Sequence, residues 1–180
     1  MEDGFADGVV SLRPITAADR GAIAAYLNDP AMYGVRQIEH DVLAPLGEKA
    51  IEDLIDEWSA AKTGIALGIV PAGSDDVAGH VMADWGWDPY NPWIGLAVAP
   101  GHRRDGLGIA AAGLVITWLF GQTVARSVHT WTPEWNEAGI AFLSSVGLSG
   151  AGAARRAWIR DGEWQDDLAF DLLKREWEAP

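Results

Sequence analysis

Cysteine is absent from the 180-residue sequence. Its absence excludes disulfides, thiolate metal sites and cysteine nucleophiles, and it is consistent with a reducing compartment. The four histidines, at positions 40, 80, 102 and 129, have no spacing typical of metal ligands, so we expect no bound metal. No G-x-S-x-G elbow is present to carry a serine nucleophile.

A long hydrophobic run is also missing. The longest apolar stretch, Gly106–Phe120, is too short and too rich in alanine to span a bilayer, so we expect no membrane association. The first residues, MEDGFADG, are acidic and lack the basic region with which a signal peptide begins. These two observations predict a cytoplasmic protein.

Positive charge is scarce, because 13 lysines and arginines face 26 acidic residues and leave a net charge of −13. Nucleic acid is therefore not expected as a partner, since phosphate contacts need a basic face. A cationic substrate such as an amine suits this charge, although solubility or adaptation to salt explains it equally well. Ten tryptophans could line an aromatic pocket, although packing in the core is their commoner use.

Apolar periodicity, bounded by glycine, proline and capping residues, predicts both strands and helices. The predicted strands are Val9–Arg13, Ile65–Val70, Val77–Trp85, Trp93–Ala99, a fifth within Gln122–Trp131, Leu148–Ile159 and Glu163–Leu173. The predicted helices are one capped by Thr16 and reaching Leu27, Glu48–Lys62, Ile109–Phe120 and Asn136–Val146. This order suits a single α/β (α+β) domain over residues 1–180, with a mixed, mostly antiparallel central sheet and helices on both faces.

The most informative stretch, Trp93–Phe120, is a strand, a turn rich in glycine and arginine, and a helix. The turn fits the pattern R-x-x-G-x-G with Arg103, Arg104, Asp105, Gly106, Leu107 and Gly108. The first turn of a helix has unpaired N–H groups, and glycines let its backbone approach an anion closely. An ordinary β–α turn with solvated arginines is the alternative interpretation.

Together with Val98–Pro100, this turn resembles the acyl-CoA loop of the GNAT superfamily of N-acetyltransferases. In that family Q/R-x-x-G-x-G/A follows a V-x-P strand end and opens the central helix. The resemblance implies acetyl-CoA as a co-substrate, with the loop amides on its pyrophosphate. It also implies that the backbone of Leu96, Ala97 and Val98 holds the pantetheine arm, that an N–H there polarises the thioester carbonyl, and that residues 31–45 shape the acceptor side.

A second segment, Asn136–Leu148, resembles the family pattern N-x-x-A-x-x-(F/L)-(Y/L)-x-x-x-G-(F/L), with Gly139 in place of the usual alanine. By this resemblance Asn136 contacts the pantetheine or a nearby water. A helix N-cap is the other role for this asparagine, and the two roles do not exclude each other. The ending RDGEWQDDLAFDLLKREW resembles the G-x-W-x-D … Glu-Trp ending of the ribosomal-protein alanine N-acetyltransferase branch.

The sequence departs from the family where acid–base chemistry is expected. Leu143 stands where relatives often have a tyrosine acid, and Trp93 stands near where many keep a glutamate base. Neither side chain transfers a proton, so other groups or water must do so. Candidate bases are Asp84 at a strand end, His129 in mid-strand and Glu134 before Asn136, and candidate acids are Tyr33 and Tyr90. A turn cap for Asp84 and a core position for His129 are the structural alternatives.

These features predict an acetyl-CoA-dependent N-acetyltransferase whose acceptor is a primary amine on a small molecule or a protein N-terminus, and the acidic balance favours a cationic amine. A CoA-binding module with weak or lost catalysis is the main alternative, because of Leu143 and Trp93. A nucleotide-binding protein is a third, which the lack of a Walker lysine opposes. Because exposed sheet edges often pair, a homodimer is plausible.

Overall fold

Seven strands form one sheet in the computed structural model, which describes residues 5–33 and 45–178. They are β1 (Val10–Pro14), β2 (Gly64–Pro71), β3 (Gly79–Asp84), β4 (Trp93–Val98), β5 (Ser127–Pro133), β6 (Ser149–Arg160) and β7 (Glu163–Leu173). Their order is β1-β2-β3-β4-β5-β7-β6, and every neighbouring pair is antiparallel except β4 and β5. The predicted mixed, mostly antiparallel sheet is confirmed.

The helices agree with the predicted ones, with modest shifts at their ends. They are α1 (Arg20–Leu27), α2 (Pro30–Tyr33), α3 (Glu48–Ala60), α4 (Leu107–Gln122), α5 (Glu137–Val146) and α6 (Lys174–Trp177), with 3₁₀ turns at Ala17–Asp19 and Pro100–His102. The sequence analysis missed α2 and α6, each a single turn too short to show a period. Residues 34–44, from the segment expected to shape the acceptor side, lie outside the described residues.

Apolar clusters lie on both faces of the sheet, because side chains alternate along each strand. The larger cluster packs α4 and α5 on the sheet and includes Val81, Ala83, Ile94, Val115, Ile116, Leu119, Val128, Leu143, Phe170 and Leu172. The smaller cluster joins α1 and α3 through Ile23, Tyr26, Leu27, Ile51 and Ile55. Helix α4 is apolar nearly all round because it is covered by the sheet on one side and flanked by α5.

The parallel pair β4–β5 is joined at only one position of the described ladder, Trp93 with His129. The other edge of each strand is paired along its length, β4 with β3 and β5 with β7. The two strands therefore separate towards their carboxyl ends and leave a gap between residues 94–98 and 130–133. Helices α4 and α5 begin just beyond these strand ends, so the first turns of both lie at the mouth of the gap. Open α/β sheets bind ligands at such strand ends.

Candidate active site

The turn between β4 and α4 leaves the first N–H groups of α4 open. Gly106 is the N-cap, with a left-handed φ of 81°, and no described side chain caps this helix. Arg104 is also left-handed, with a φ of 72°. A Cβ added to Gly106 would meet no atom within 4 Å, so the space beside the first turn is open. Unpaired N–H groups and the helix dipole favour an anion at this position.

The start of α4 is packed closely against both sides of the gap. A Cβ added to Gly108 would lie 3.2 Å from the Phe142 ring of α5 and 3.5 Å from a methyl group of Val98 in β4. Leu107 is 5% exposed, so it can offer a ligand only its backbone. Asp105 is exposed at the turn. The glycine at 108 therefore sets how near α4 approaches the gap.

Arg103 connects the anion loop, residues 103–108, to helix α2. Its Nε lies 3.4 Å from the carbonyl oxygen of Val98, and both terminal nitrogens lie 3.5 Å from the carbonyl oxygen of Ala31. One of these nitrogens also lies 2.8 Å from the sulfur of Met32. Arg104 is exposed and takes part in none of the ion pairs within residues 5–33 and 45–178. The two arginines place positive charge beside the open helix start.

The backbone of β4 alternates between β3 and the gap. The N–H of Ala99 donates to the carbonyl of Ala78, beside β3, at 2.8 Å, so the backbone groups of Ala97 also turn to β3. Leu96 and Val98 then direct their N–H and C=O groups into the gap. Of the three β4 residues predicted to hold a pantetheine arm, Leu96 and Val98 therefore present backbone groups to the gap, whereas Ala97 does not.

Asn136 is the N-cap of α5. Its Oδ1 accepts a hydrogen bond from the N–H of Gly139 at 3.0 Å, and its Nδ2 donates to the hydroxyl of Thr132 at 2.9 Å. The N-cap interpretation of Asn136 is confirmed. A Cβ on Gly139 would lie 2.2 Å from the Asn136 amide nitrogen, so glycine at 139 leaves the amide room in its present position. A contact of Asn136 with pantetheine stays a prediction.

Four side chains form a row across the sheet at the closed end of the gap. In register, Asp84 of β3 is paired with Trp93 of β4, Trp93 with His129 of β5, and His129 with Asp171 of β7. Their strand neighbours are buried against α4, so all four lie on the opposite face. We name them the cross-strand row. The sequence analysis found Asp84 and His129 but missed Asp171, because strand register cannot be seen from composition or spacing.

His129 is held in one tautomer. Its Nδ1 lies 3.0 Å from the backbone carbonyl oxygen of Asn91, and because a carbonyl only accepts, Nδ1 must carry the proton. The neutral ring then has an unshared electron pair on Nε2, as a general base requires. The imidazole is half-buried and lies at the point where β4 and β5 separate. Among the predicted bases, His129 has the position and tautomer best suited to proton transfer.

The other two predicted bases are engaged elsewhere. Asp84 is exposed, and its Oδ1 accepts a hydrogen bond from the N–H of Gly86 at 2.7 Å, which is the turn-capping alternative. Glu134 is bound to β7, because its Oε1 accepts from the N–H of Asp166 at 2.9 Å. Since β7 pairs with the edge of β5 away from β4, this carboxylate faces away from the gap. The structure therefore brings Asp84, but not Glu134, into the row with His129.

Neither of the tyrosines whose side chains are described, Tyr26 and Tyr90, lies among the residues that line the gap. Leu143 is 8% exposed and packs in the core, and Tyr90 lies in the exposed loop before β4. The side chain of Tyr33 lies outside the described residues. The hydroxyl of Tyr26 lies 2.8 Å from Nδ1 of His80, in the layer beneath α1 and α3, and burial lowers the pKa of His80 to about 4. His80 is therefore neutral near pH 7 and structural.

Within residues 5–33 and 45–178, no three histidine, aspartate or glutamate side chains are grouped to hold a metal ion. In the same residues, no helix has the length and apolar character needed to cross a membrane.

Solved structures with the same fold are acetyltransferases. A GNAT-family acetyltransferase from Bacillus anthracis matches with a TM-score of 0.83 at 15% identity, covering 95% of this chain and 98% of that one. The spermidine N-acetyltransferase from Vibrio cholerae, solved with CoA and spermine, matches with a TM-score of 0.80 at 13% identity, covering 95% and 99%. At such identities the likeness shows the fold alone, and this fold is the predicted one.

Residues 10–149 match the family model described as Acetyltransferase (GNAT) domain. The chain therefore belongs to the GNAT acetyltransferase family, whose members transfer an acetyl group from acetyl-CoA. A mycothiol acetyltransferase from Cellulomonas flavigena is 29% identical over 133 residues. These residues are 72% of this chain but only 37% of that relative, so the chain spans little more than a third of its length. The predicted family is confirmed, while the ribosomal-protein branch stays a resemblance.

Proposed function

We propose that this protein transfers the acetyl group of acetyl-CoA to a primary amine, with His129 as the general base. The observation that carries the proposal is the position of two unlike sites at the two ends of β4. The anion loop follows Val98, and the cross-strand row includes Trp93. Five residues of extended strand separate these ends by about 17 Å. A pyrophosphate on the loop and a thioester near His129 suit the two ends of one long pantetheine arm.

The reaction needs three groups in sequence. His129 Nε2 removes a proton from the acceptor ammonium, and the neutral amine nitrogen attacks the thioester carbon. The N–H of Leu96 is directed into the gap and lies nearer to His129 than that of Val98, so it can stabilise the oxyanion of the tetrahedral intermediate. The carbon–sulfur bond then breaks, the CoA thiolate takes a proton from the His129 imidazolium or from water, and the new amide nitrogen releases its second proton to the regenerated His129 or to water. This return of the proton compensates for the apolar Leu143 at the family's usual acid position.

An amine acceptor agrees with several independent features. The net charge of −13 attracts cations to the protein. The Vibrio cholerae neighbour is named for the N-acetylation of spermidine, which is an amine. The sequence pattern resembles that of N-acetyltransferases, including the branch that modifies a protein N-terminus. Acceptors on small molecules and on N-termini are both included in the proposal.

A CoA-binding module without turnover is the second candidate. Leu143 favours it, because this side chain is buried and cannot protonate the leaving thiolate. The turn cap made by Asp84 favours it too, since that carboxylate is already hydrogen-bonded. If this candidate is right, acetyl-CoA raises the midpoint of thermal unfolding, yet no amine increases the release of CoA.

The test is steady-state release of CoA thiol from acetyl-CoA with a panel of amines. We expect His129→Gln to lower kcat by about 10²- to 10⁴-fold, the usual contribution of a general base, with acetyl-CoA binding retained. Glu134→Gln and Asp84→Asn serve as matched variants of the other predicted bases, and we expect a loss of less than about tenfold for each. A larger loss in either variant than in His129→Gln would reject His129 as the base.

A further inference from the structure

Asp171 is a carboxylate that the steps above do not use. It lies directly opposite His129 in the β5–β7 ladder and on the same face of the sheet. Directly opposed residues have Cβ atoms about 5 Å apart. Asp171 is half-buried, and it takes part in none of the ion pairs within residues 5–33 and 45–178. A half-buried carboxylate without a cation beside the general base is available to a positive charge from the substrate.

Aromatic rings flank His129 on the same face as this carboxylate. Trp131 lies two residues beyond His129 on β5 and is 41% exposed. Trp93 lies on the other side of His129, and its indole covers Gly95, where an added Cβ would lie 2.2 Å from the ring. Indole faces attract alkylammonium groups, especially beside a carboxylate. The open sheet face therefore combines a base, a carboxylate and two indoles.

The Asp171 carboxylate can compensate the positive charge both before and after the proton transfer. Before it, the positive charge is on the acceptor ammonium, and after it the same charge is on the His129 imidazolium. Asp171, opposite His129, is near the charge in both states, so the transfer does not move a positive charge away from its counter-ion. A carboxylate placed here helps to bind the acceptor and also stabilises the protonated base.

We infer that Asp171 is the counter-charge of the acceptor site, and that this site takes cationic alkylamines with no carboxylate next to the amine. This inference rests on the proposed function and adds the acceptor class to it. An α-carboxylate on the acceptor would lie against Asp171 and be repelled. Asp171 is a binding residue for the ammonium and a positioning residue for the charge on His129.

Glycinamide and glycine test this, because a neutral amide replaces the α-carboxylate, and comparing each variant with the parent cancels the difference in basicity between the two amines. The assay measures kcat/KM for both with acetyl-CoA, in the parent protein, Asp171→Asn and Asp171→Glu. We expect the parent to favour glycinamide by more than about tenfold. We expect Asp171→Asn to lose most of this preference and to lower kcat/KM for glycinamide by about tenfold or more, with Asp171→Glu restoring part of both. Glu163→Gln, a carboxylate at the far end of β7, is the matched control.

The preference for glycinamide over glycine separates positioning from structural damage. The preference is a ratio within one protein, so partial unfolding of a variant does not change it.

The outcomes are distinct. Loss of the preference in Asp171→Asn, with part of it restored in Asp171→Glu, supports the inference. Turnover of glycinamide by the parent, with the same preference in Asp171→Asn, would overturn the inference and leave the proposed function standing. No turnover of any amine by the parent would overturn both.

Discussion

Helices α4 and α5 begin at the mouth of the same gap, but their first turns are completed differently. Helix α4 follows Gly106, which offers no side chain, so its first N–H groups stay open. Helix α5 follows Asn136, whose amide accepts from Gly139 and donates to Thr132. The first N–H groups of a helix are available to an anion where the capping residue has no side chain to bind them, as at Gly106.

The largest effect on acetyl-CoA affinity is expected from a substitution that blocks the uncapped first turn of α4. Gly106→Trp places a side chain beside the unpaired N–H groups of α4, and we expect the affinity for acetyl-CoA to fall by about 100-fold or more. Thermal unfolding with and without acetyl-CoA measures this, because a ligand that binds only the folded protein raises the midpoint. The rise should be present in the parent and absent in the variant.

Gly73→Trp is the matched control for backbone strain. Gly73 has a φ of 79°, and a Cβ there would also meet no atom within 4 Å, yet it lies in the turn after β2, away from the gap. Both variants should lose similar stability without ligand. An equal loss of the acetyl-CoA effect in the two variants would show that strain, and not access to the helix start, explains the result.

A third helix start, that of α1, has a charged capping residue, Asp19. The Asp19 carboxylate accepts from the N–H of Thr16 at 2.8 Å and pairs with Arg13 at 2.6 Å. The Arg13 guanidinium, followed by the contacts with Thr16, lowers the pKa of Asp19 to about 2 from 3.8. A depressed folded-state pKa means that the stabilisation is complete above pH 3.8 and is lost as the pH falls towards 2.

We expect Asp19→Asn to lower the free energy of unfolding at pH 7 by about 1–2 kcal/mol, a value reduced for the partial exposure of Arg13. Urea unfolding at pH 7 and pH 2 measures it, and the difference between variant and parent should largely vanish at pH 2. Asp161→Asn, whose side chain is 92% exposed, should stay within about 0.5 kcal/mol of the parent. A difference for Asp19→Asn that persists at pH 2 would contradict the assigned cause.

The smallest effect is expected at the capped start of α5. Asn136→Ala removes the cap and should cost about 1 kcal/mol of unfolding free energy, whereas Asn136→Asp keeps an oxygen for the N–H of Gly139 and should cost less. Because the amide is bound on both sides, we expect acetyl-CoA affinity to change less than about threefold in either variant. A loss above about tenfold in both variants would instead support the pantetheine contact that the resemblance implies.

Local features of this fold could be predicted from the sequence, because they depend on neighbouring residues. The anion loop is marked by two glycines two positions apart. The start of α5 is marked by a single residue, Asn136, and its end by another, Gly147. The family resemblance added the position of the loop at the start of the central helix. The predicted order of the longer elements was correct for the same reason.

Features that depend on register could not be predicted. The gap between β4 and β5, the row that joins Asp84 to Asp171, and the turn of Glu134 towards β7 all require knowing which strands are adjacent. Alternation fixes the face of each side chain but not its neighbour across the ladder. The tautomer of His129 likewise depends on a carbonyl 38 residues earlier in the chain.

The close approach between Gly139 and Asn136 couples these two positions. An alanine at 139 would place a methyl group 2.2 Å from the amide nitrogen of Asn136, so the asparagine side chain would have to shift. Substitutions at the two positions should therefore be epistatic, since the effect of changing Asn136 depends on residue 139. The stability that the cap contributes thus belongs to the pair and cannot be assigned to Asn136 alone.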